Sequence, residues 1–129
     1  MVLAIDIGNT RTKLALFKED KLFQKITWDS WSLEKIEQFA YNHFVEKIIL
    51  SSVQSVDEDI LTFFKDNFDF IELTAETPLP IYNRYKTPKT LGKDRVAAVV
   101  GAYRFFPKQN CLVIDAGTCI TYDLLNDKA

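Results

Sequence analysis

The order of apolar and polar positions gives most of the elements of this chain directly. Residues 2–7 (VLAIDI) are a nearly continuous apolar run, which predicts a buried strand. Residues 12–17 (TKLALF) predict a second strand, Glu19–Asp20 a turn, and residues 22–28 (LFQKITW) a third strand. The opening is therefore an antiparallel three-strand unit. Ser32 is placed to cap a helix running to about Phe44, with Leu33, Ile36, Ala40 and Phe44 along one face. Residues 47–53 (KIILSSV) are short, β-branched and apolar, as a buried strand requires. Ser55-Val56-Asp57-Glu58 has the spacing of a capping box, and the helix behind it carries Val56, Ile60, Leu61 and Phe64. Residues 68–73 (FDFIEL) read as another strand.

The pattern then breaks. TAETPLPIYNRYKTPKT holds Pro78, Pro80 and Pro88 and follows neither period, so a loop of more than about 15 residues is expected, a length usually kept for function or disorder. LGKDRVAAVVGAYRFF returns to helical spacing through Val96, Val99, Val100 and Tyr103. CLVIDAGTCITYDLL closes with strand, turn and strand. The order βββ–α–β–α–β–loop–α–ββ predicts an α/β fold, a mixed sheet with helices on its faces.

Composition narrows the function. Of the 129 residues, 47% are apolar, which suits a folded core and excludes a disordered chain. The net charge of −2 argues against a large nucleic-acid footprint. No apolar run approaches the roughly 20 residues of a membrane span. MVLAIDIG lacks the basic start of a signal peptide, so Cys111 and Cys119, not spaced as CxxC, are expected as reduced thiols in a cytoplasmic protein. His43, the only histidine, is expected at the surface late in the first helix.

The chemistry lies in a repeat. IDIGNTRTKLAL and IDAGTCITYDLL align so that Asp6 matches Asp115 and Gly8 matches Gly117 at the same offset, with Thr10 and Thr118 one residue out of step. Each copy begins and ends on a strand, as an internal duplication would. Glycine permits a sharp turn and close approach of backbone to ligand. Successive amide N–H groups make a nest for anionic oxygens. Thr10 and Thr118 add hydroxyl donors, and Lys13 a positive charge. A carboxylate beside phosphate repels it unless a cation intervenes, so Asp6 and Asp115 are candidates to hold Mg²⁺ through water, or another cation. Two such hairpins are suited to gripping a nucleotide triphosphate.

Three motifs in series carry a family resemblance: DIGNTRTK (6–13), YKTPKTLGKDR (85–95) and DAGTCITYD (115–123). Together they resemble the type III pantothenate kinases, of the acetate kinase, sugar kinase, Hsp70 and actin superfamily. The resemblance implies a ribonuclease H-like (actin-like ATPase) lobe with a mixed five-stranded sheet over residues 1–109, and the first hairpin of a second, similar lobe over 110–129. It implies transfer of phosphate from ATP to the primary hydroxyl of pantothenate, the first step toward coenzyme A.

The resemblance also implies roles. Asp6, Ile7, Gly8, Asn9, Thr10, Arg11, Thr12 and Lys13 form the first phosphate motif, with Gly117 and Thr118 in the second. Asp94 is the general base. Arg95 binds the pantothenate carboxylate, for which a planar fork of donors is suited. Tyr85, Gly92 and Lys93 belong to the same substrate motif, Lys93 at its variable position. Asp115 resembles the ligand of a monovalent cation, K⁺ or NH₄⁺, alongside ATP and Mg²⁺. Cys119 stands where the family usually has alanine. Such kinases are roughly twice this size and form homodimers, so this chain is expected to be the N-terminal half, with little activity by itself. Two other readings keep the fold: a kinase of another small hydroxylated carboxylate, and a non-catalytic ATP-binding regulatory protein.

Overall fold

A computed structural model describes every residue except Thr118 and Ala129. The chain divides into two units, Met1–Leu73 and Thr74–Ala129. Packing thus draws the boundary ahead of the proline-rich loop, whereas the sequence reading draws it at residue 109. The helix after the loop groups with the closing hairpin.

The first unit is a five-stranded sheet with two helices. Strands β1 (Val2–Ile7), β2 (Thr12–Lys18) and β3 (Lys21–Trp28) are antiparallel neighbours. Helix α1 (Leu33–Asn42) leads to β4 (Lys47–Ser52), which lies parallel to β1. Helix α2 (Glu58–Asn67) leads to β5 (Asp69–Glu72), parallel to β4. The order β3-β2-β1-β4-β5 is the mixed sheet expected, and it is compatible with an actin-like kinase lobe.

Register builds the core. Leu3 pairs with Leu16 and with Ile48, and Ile5 with Leu14 and with Leu50, so one face of three strands is continuously aliphatic. Ile36 and Ala40 of α1 and Leu61 and Phe64 of α2 complete that cluster. Phe64 is fully buried. The β2–β3 connection is a two-residue turn in which Glu19 (φ 48°) and Asp20 (φ 63°) both lie in the left-handed region, as the tight primed hairpin turns require.

Two local expectations are corrected. Ser32 does cap α1, its Oγ accepting from the Lys35 amide at 3.3 Å, but the helix stops at Asn42 and Phe44 is 84% exposed. Phe44 adopts φ 51°, a left-handed conformation that turns its side chain out of the core face. The capping box at Ser55 does not form either. Asp57 is the N-cap of α2, in extended conformation and without a side-chain cap bond.

The second unit begins with the loop, which contains a single 3₁₀ turn at Pro88–Thr90. Helix α3 (Lys93–Phe105) then packs on a two-stranded hairpin of β6 (Cys111–Ala116) and β7 (Ile120–Leu125). Strand alternation gives the hairpin two unlike faces. Val113, Asp123 and Leu125 share the more buried one, while Leu112, Ile114, Ile120, Tyr122 and Leu124 stand exposed on the other. Among the described residues no helix is long and apolar enough to cross a membrane.

Candidate active site

In the first unit the repeat's leading copy is the β1–β2 turn. Asp6 and Lys13 face each other in register, with Lys13 Nζ 3.7 Å from Asp6 Oδ2. Both belong to the sheet face opposite Ile5 and Leu14. Ser51 of β4 is the parallel neighbour of Asp6, and its buried Oγ has no hydrogen-bond partner among the described residues. Asn9, Thr10 and Arg11 are exposed at the tip, with Arg11 Nε 3.7 Å from Asp29. Ile7 and Thr12 pair with each other and are buried on the core face, so their side chains point away from Asp6 and Lys13.

The turn is closed by the Gly8 amide, which donates to the Arg11 carbonyl at 3.0 Å. A Cβ at Gly8 would stand 3.1 Å from that same oxygen, so the glycine serves close approach within the turn. Its φ is not positive. Gln54, just beyond β4, donates from Nε2 to the Gly8 carbonyl at 2.7 Å, and the Val53 amide donates to the Ile7 carbonyl at 3.1 Å. The sequence reading did not single out Gln54. A polar side chain directly after a buried β-branched strand was the available signal.

In the second unit the β6–β7 turn repeats the closure: the Gly117 amide donates to the Cys119 carbonyl at 2.9 Å. Asp115 is exposed near the end of β6, opposite Thr121. Thr118, the expected ATP contact, lies outside the described residues. In both turns the glycine amide is committed to the hairpin, so an anion nest there has to draw on other donors.

The substrate motif surrounds the start of α3. Gly92 is the N-cap, and the half-buried Asp94 folds its Oδ1 back to accept from the Arg95 amide at 2.9 Å. A carboxylate there also benefits from the positive end of the helix dipole. Arg95 reaches across to β7. Its Nε donates to Asp123 Oδ2 at 3.0 Å and its Nη2 to Oδ1 at 2.6 Å, a bidentate pair. The side chains are 22% and 16% exposed. Hydrogen bonding to Asp123 raises the Arg95 pKa above its ordinary value, against the opposing pull of burial. The Arg95 Cζ lies 5.3 Å from the centre of the Tyr85 ring, a cation–π contact.

Tyr85, Arg95 and Asp123 line a cavity of about 360 Å³ with Leu79, Ile81 and Val96. Of the expected substrate residues, Tyr85 and Arg95 meet at this cavity, whereas Gly92, Lys93 and Asp94 are not in its lining. Asp123 was missed. Period-two alternation along ITYDLL puts it on the side of Leu125, and a charge at an inward position is the signal that could have found it. Elsewhere His43 lies late in the first helix as expected, as the C-cap of α1, but half-buried and not at the open surface: its Nδ1 donates to the Phe39 carbonyl at 2.8 Å and its ring lies against Phe39. Cys111 and Cys119 are free thiols.

The family model and the curated relatives carry the same description. The family model described as type III pantothenate kinase matches residues 2–129. The type III pantothenate kinase of Bacteroides fragilis is 42% identical over 127 residues, covering 98% of this chain and 52% of the relative. That of Flavobacterium johnsoniae is 39% identical over 129 residues, covering 98% and 53%. A solved structure from Campylobacter jejuni, whose description proposes a conserved Baf family transcriptional activator, is 25% identical with a TM-score of 0.50, covering 98% of this chain and 49% of that one. The chain spans about half the length of the curated relatives it matches. From the matched residues and the relatives' identity, with the three motifs in series, the chain belongs to the type III pantothenate kinase family.

Proposed function

We propose that this chain supplies phosphate- and acceptor-binding elements of an enzyme that phosphorylates pantothenate with ATP to give 4′-phosphopantothenate. The observation that carries the reading is the meeting of Tyr85 and Arg95 at one cavity, beside the helix start that bears Asp94. A carboxylate-bearing acceptor suits a guanidinium backed by an aromatic ring.

In this mechanism Arg95 and Tyr85 hold the acceptor, and Asp94 accepts the proton of its primary hydroxyl as that oxygen attacks the γ-phosphorus. The transition state is loose, so the proton leaves late and an ordinary carboxylate suffices. Lys13 and the turn residues around Gly8 offset charge on the phosphates. Gly117 and Thr118 serve the second phosphate turn.

Asp6 and Asp115 are the residues for cations. Asp6 would hold a Mg²⁺ through water, with waters and substrate phosphates as the other ligands. Such a cation neutralises phosphate charge when bound. Asp115, exposed on its strand, suits a monovalent cation, K⁺ or NH₄⁺. We assign the hairpin β6–β7 to the start of a second lobe, and the full-length enzyme to a cytoplasmic homodimer without nucleic-acid or membrane partners.

The test is ADP release by the protein at its full natural length, with Mg²⁺ and K⁺, with and without pantothenate. Pantothenate-dependent release is expected. Release independent of pantothenate, or none from folded protein, overturns the reading in favour of another acceptor or a regulatory role. This chain alone is expected to show little or no turnover.

A further inference from the structure

The pair formed by Arg95 and Asp123 carries an inference that rests on the reading of Arg95 as the acceptor's anchor. An arginine offers five N–H donors in a rigid fork. Asp123 takes the Nε–Nη2 side of that fork, at 3.0 and 2.6 Å, and does not engage Nη1. The Tyr85 ring lies over the guanidinium, its centre 5.3 Å from Cζ. Both charged side chains are largely shielded from solvent, and both line the same cavity. A long, flexible side chain is thereby held in one orientation before any ligand arrives. Pre-ordering of this kind removes an entropic cost from binding.

We propose that Asp123 is a positioning residue of the acceptor site, aiming Arg95 at the acceptor carboxylate. The pair has no net charge. An acceptor is therefore recognised by the direction of its hydrogen bonds to Arg95 more than by attraction to a bare cation. Asp123 itself touches no reacting atom.

The experiment is a double-mutant cycle in the protein at its full natural length, with Asp123→Asn, Arg95→Gln and the double variant. Steady-state constants for pantothenate and for ATP are measured separately, and each variant is melted to verify folding. Asp123→Asn is expected to raise the KM for pantothenate at least tenfold and to leave the KM for ATP within twofold. In the Arg95→Gln background the same change is expected to add less than twofold. Asp123→Glu, which keeps the charge and lengthens the arm, is expected to recover part of the loss and decides the matter if the Asn variant fails to fold. An unchanged or lowered KM for pantothenate, or an equal rise in both backgrounds, overturns the proposal while the kinase reading stands. Absence of pantothenate-dependent turnover in the unmodified protein overturns the kinase reading, and the role of Asp123 with it.

Discussion

Gly92 and Asp94 share one small volume: a Cβ built on Gly92 would collide with Asp94 Oδ1. The glycine is what allows the carboxylate to fold back over the first turn of α3 and accept from the Arg95 amide. Gly92 adopts φ −55° and ψ 133°, which any residue tolerates, so the constraint is space and not backbone conformation.

Gly92→Ala is therefore expected to separate stability from chemistry. The displaced atom is the end of a short side chain, and the loss of stability should stay near 1 kcal/mol or below. Turnover should fall by at least about tenfold, because the carboxylate is pushed out of place. A thermal melt and a kcat measurement on one preparation check both halves.

Asp94→Asn keeps the shape of the side chain and removes its capacity to accept a proton. If Asp94 is the base, kcat falls by roughly 10²–10⁴-fold with nucleotide affinity unchanged. Calorimetric titration with a non-hydrolysable ATP analogue gives the affinity. Unaltered turnover would remove Asp94 from the mechanism.

Gln54→Ala deletes the 2.7 Å bond to the Gly8 carbonyl and so loosens the β1–β2 turn. The expected loss of stability is about 1 kcal/mol. Faster hydrogen exchange should be confined to the amides around Gly8, and nucleotide affinity should weaken severalfold. Exchange mass spectrometry reads the first effect and titration the second.

Phe64 is fully buried among Phe63, Phe68 and Phe70, with ring centroids 5.4–6.4 Å away. Phe64→Ala opens a cavity between α2 and the sheet and is expected to cost about 3–5 kcal/mol. A urea titration should show an earlier midpoint with little change in slope.

Much of the fold was legible because the central strands carry their own apolar pattern. Leu3, Ile5 and Ile7 alternate with less buried neighbours, and the same alternation recurs in Leu14 and Leu16. Local spacing fails where a distant partner or a single backbone angle decides. Phe44 sits at a helical interval from Ala40, yet one left-handed residue ends that geometry. Ser55 and Glu58 have capping-box spacing, but α2 starts at Glu58, with Asp57 as its N-cap. The site divides in the same way. Tyr85, Asp94 and Arg95 could be named from a contiguous motif. Asp123 ends the third motif and is a charge at an inward position, but its pairing with Arg95 was not legible, because the partner is 28 residues earlier and only packing of α3 on the hairpin brings the two together.

The common closure of the two turns bears on Cys119, which stands where the resemblance leads one to expect alanine. Gly8 and Gly117 each bond a main-chain oxygen, that of Arg11 in one hairpin and of Cys119 in the other. The residue supplying the oxygen is read through its peptide group, and its side chain is invisible to the bond. The two turns thus share a hydrogen-bonding gesture written in different letters, and the thiol of Cys119 leaves that gesture intact.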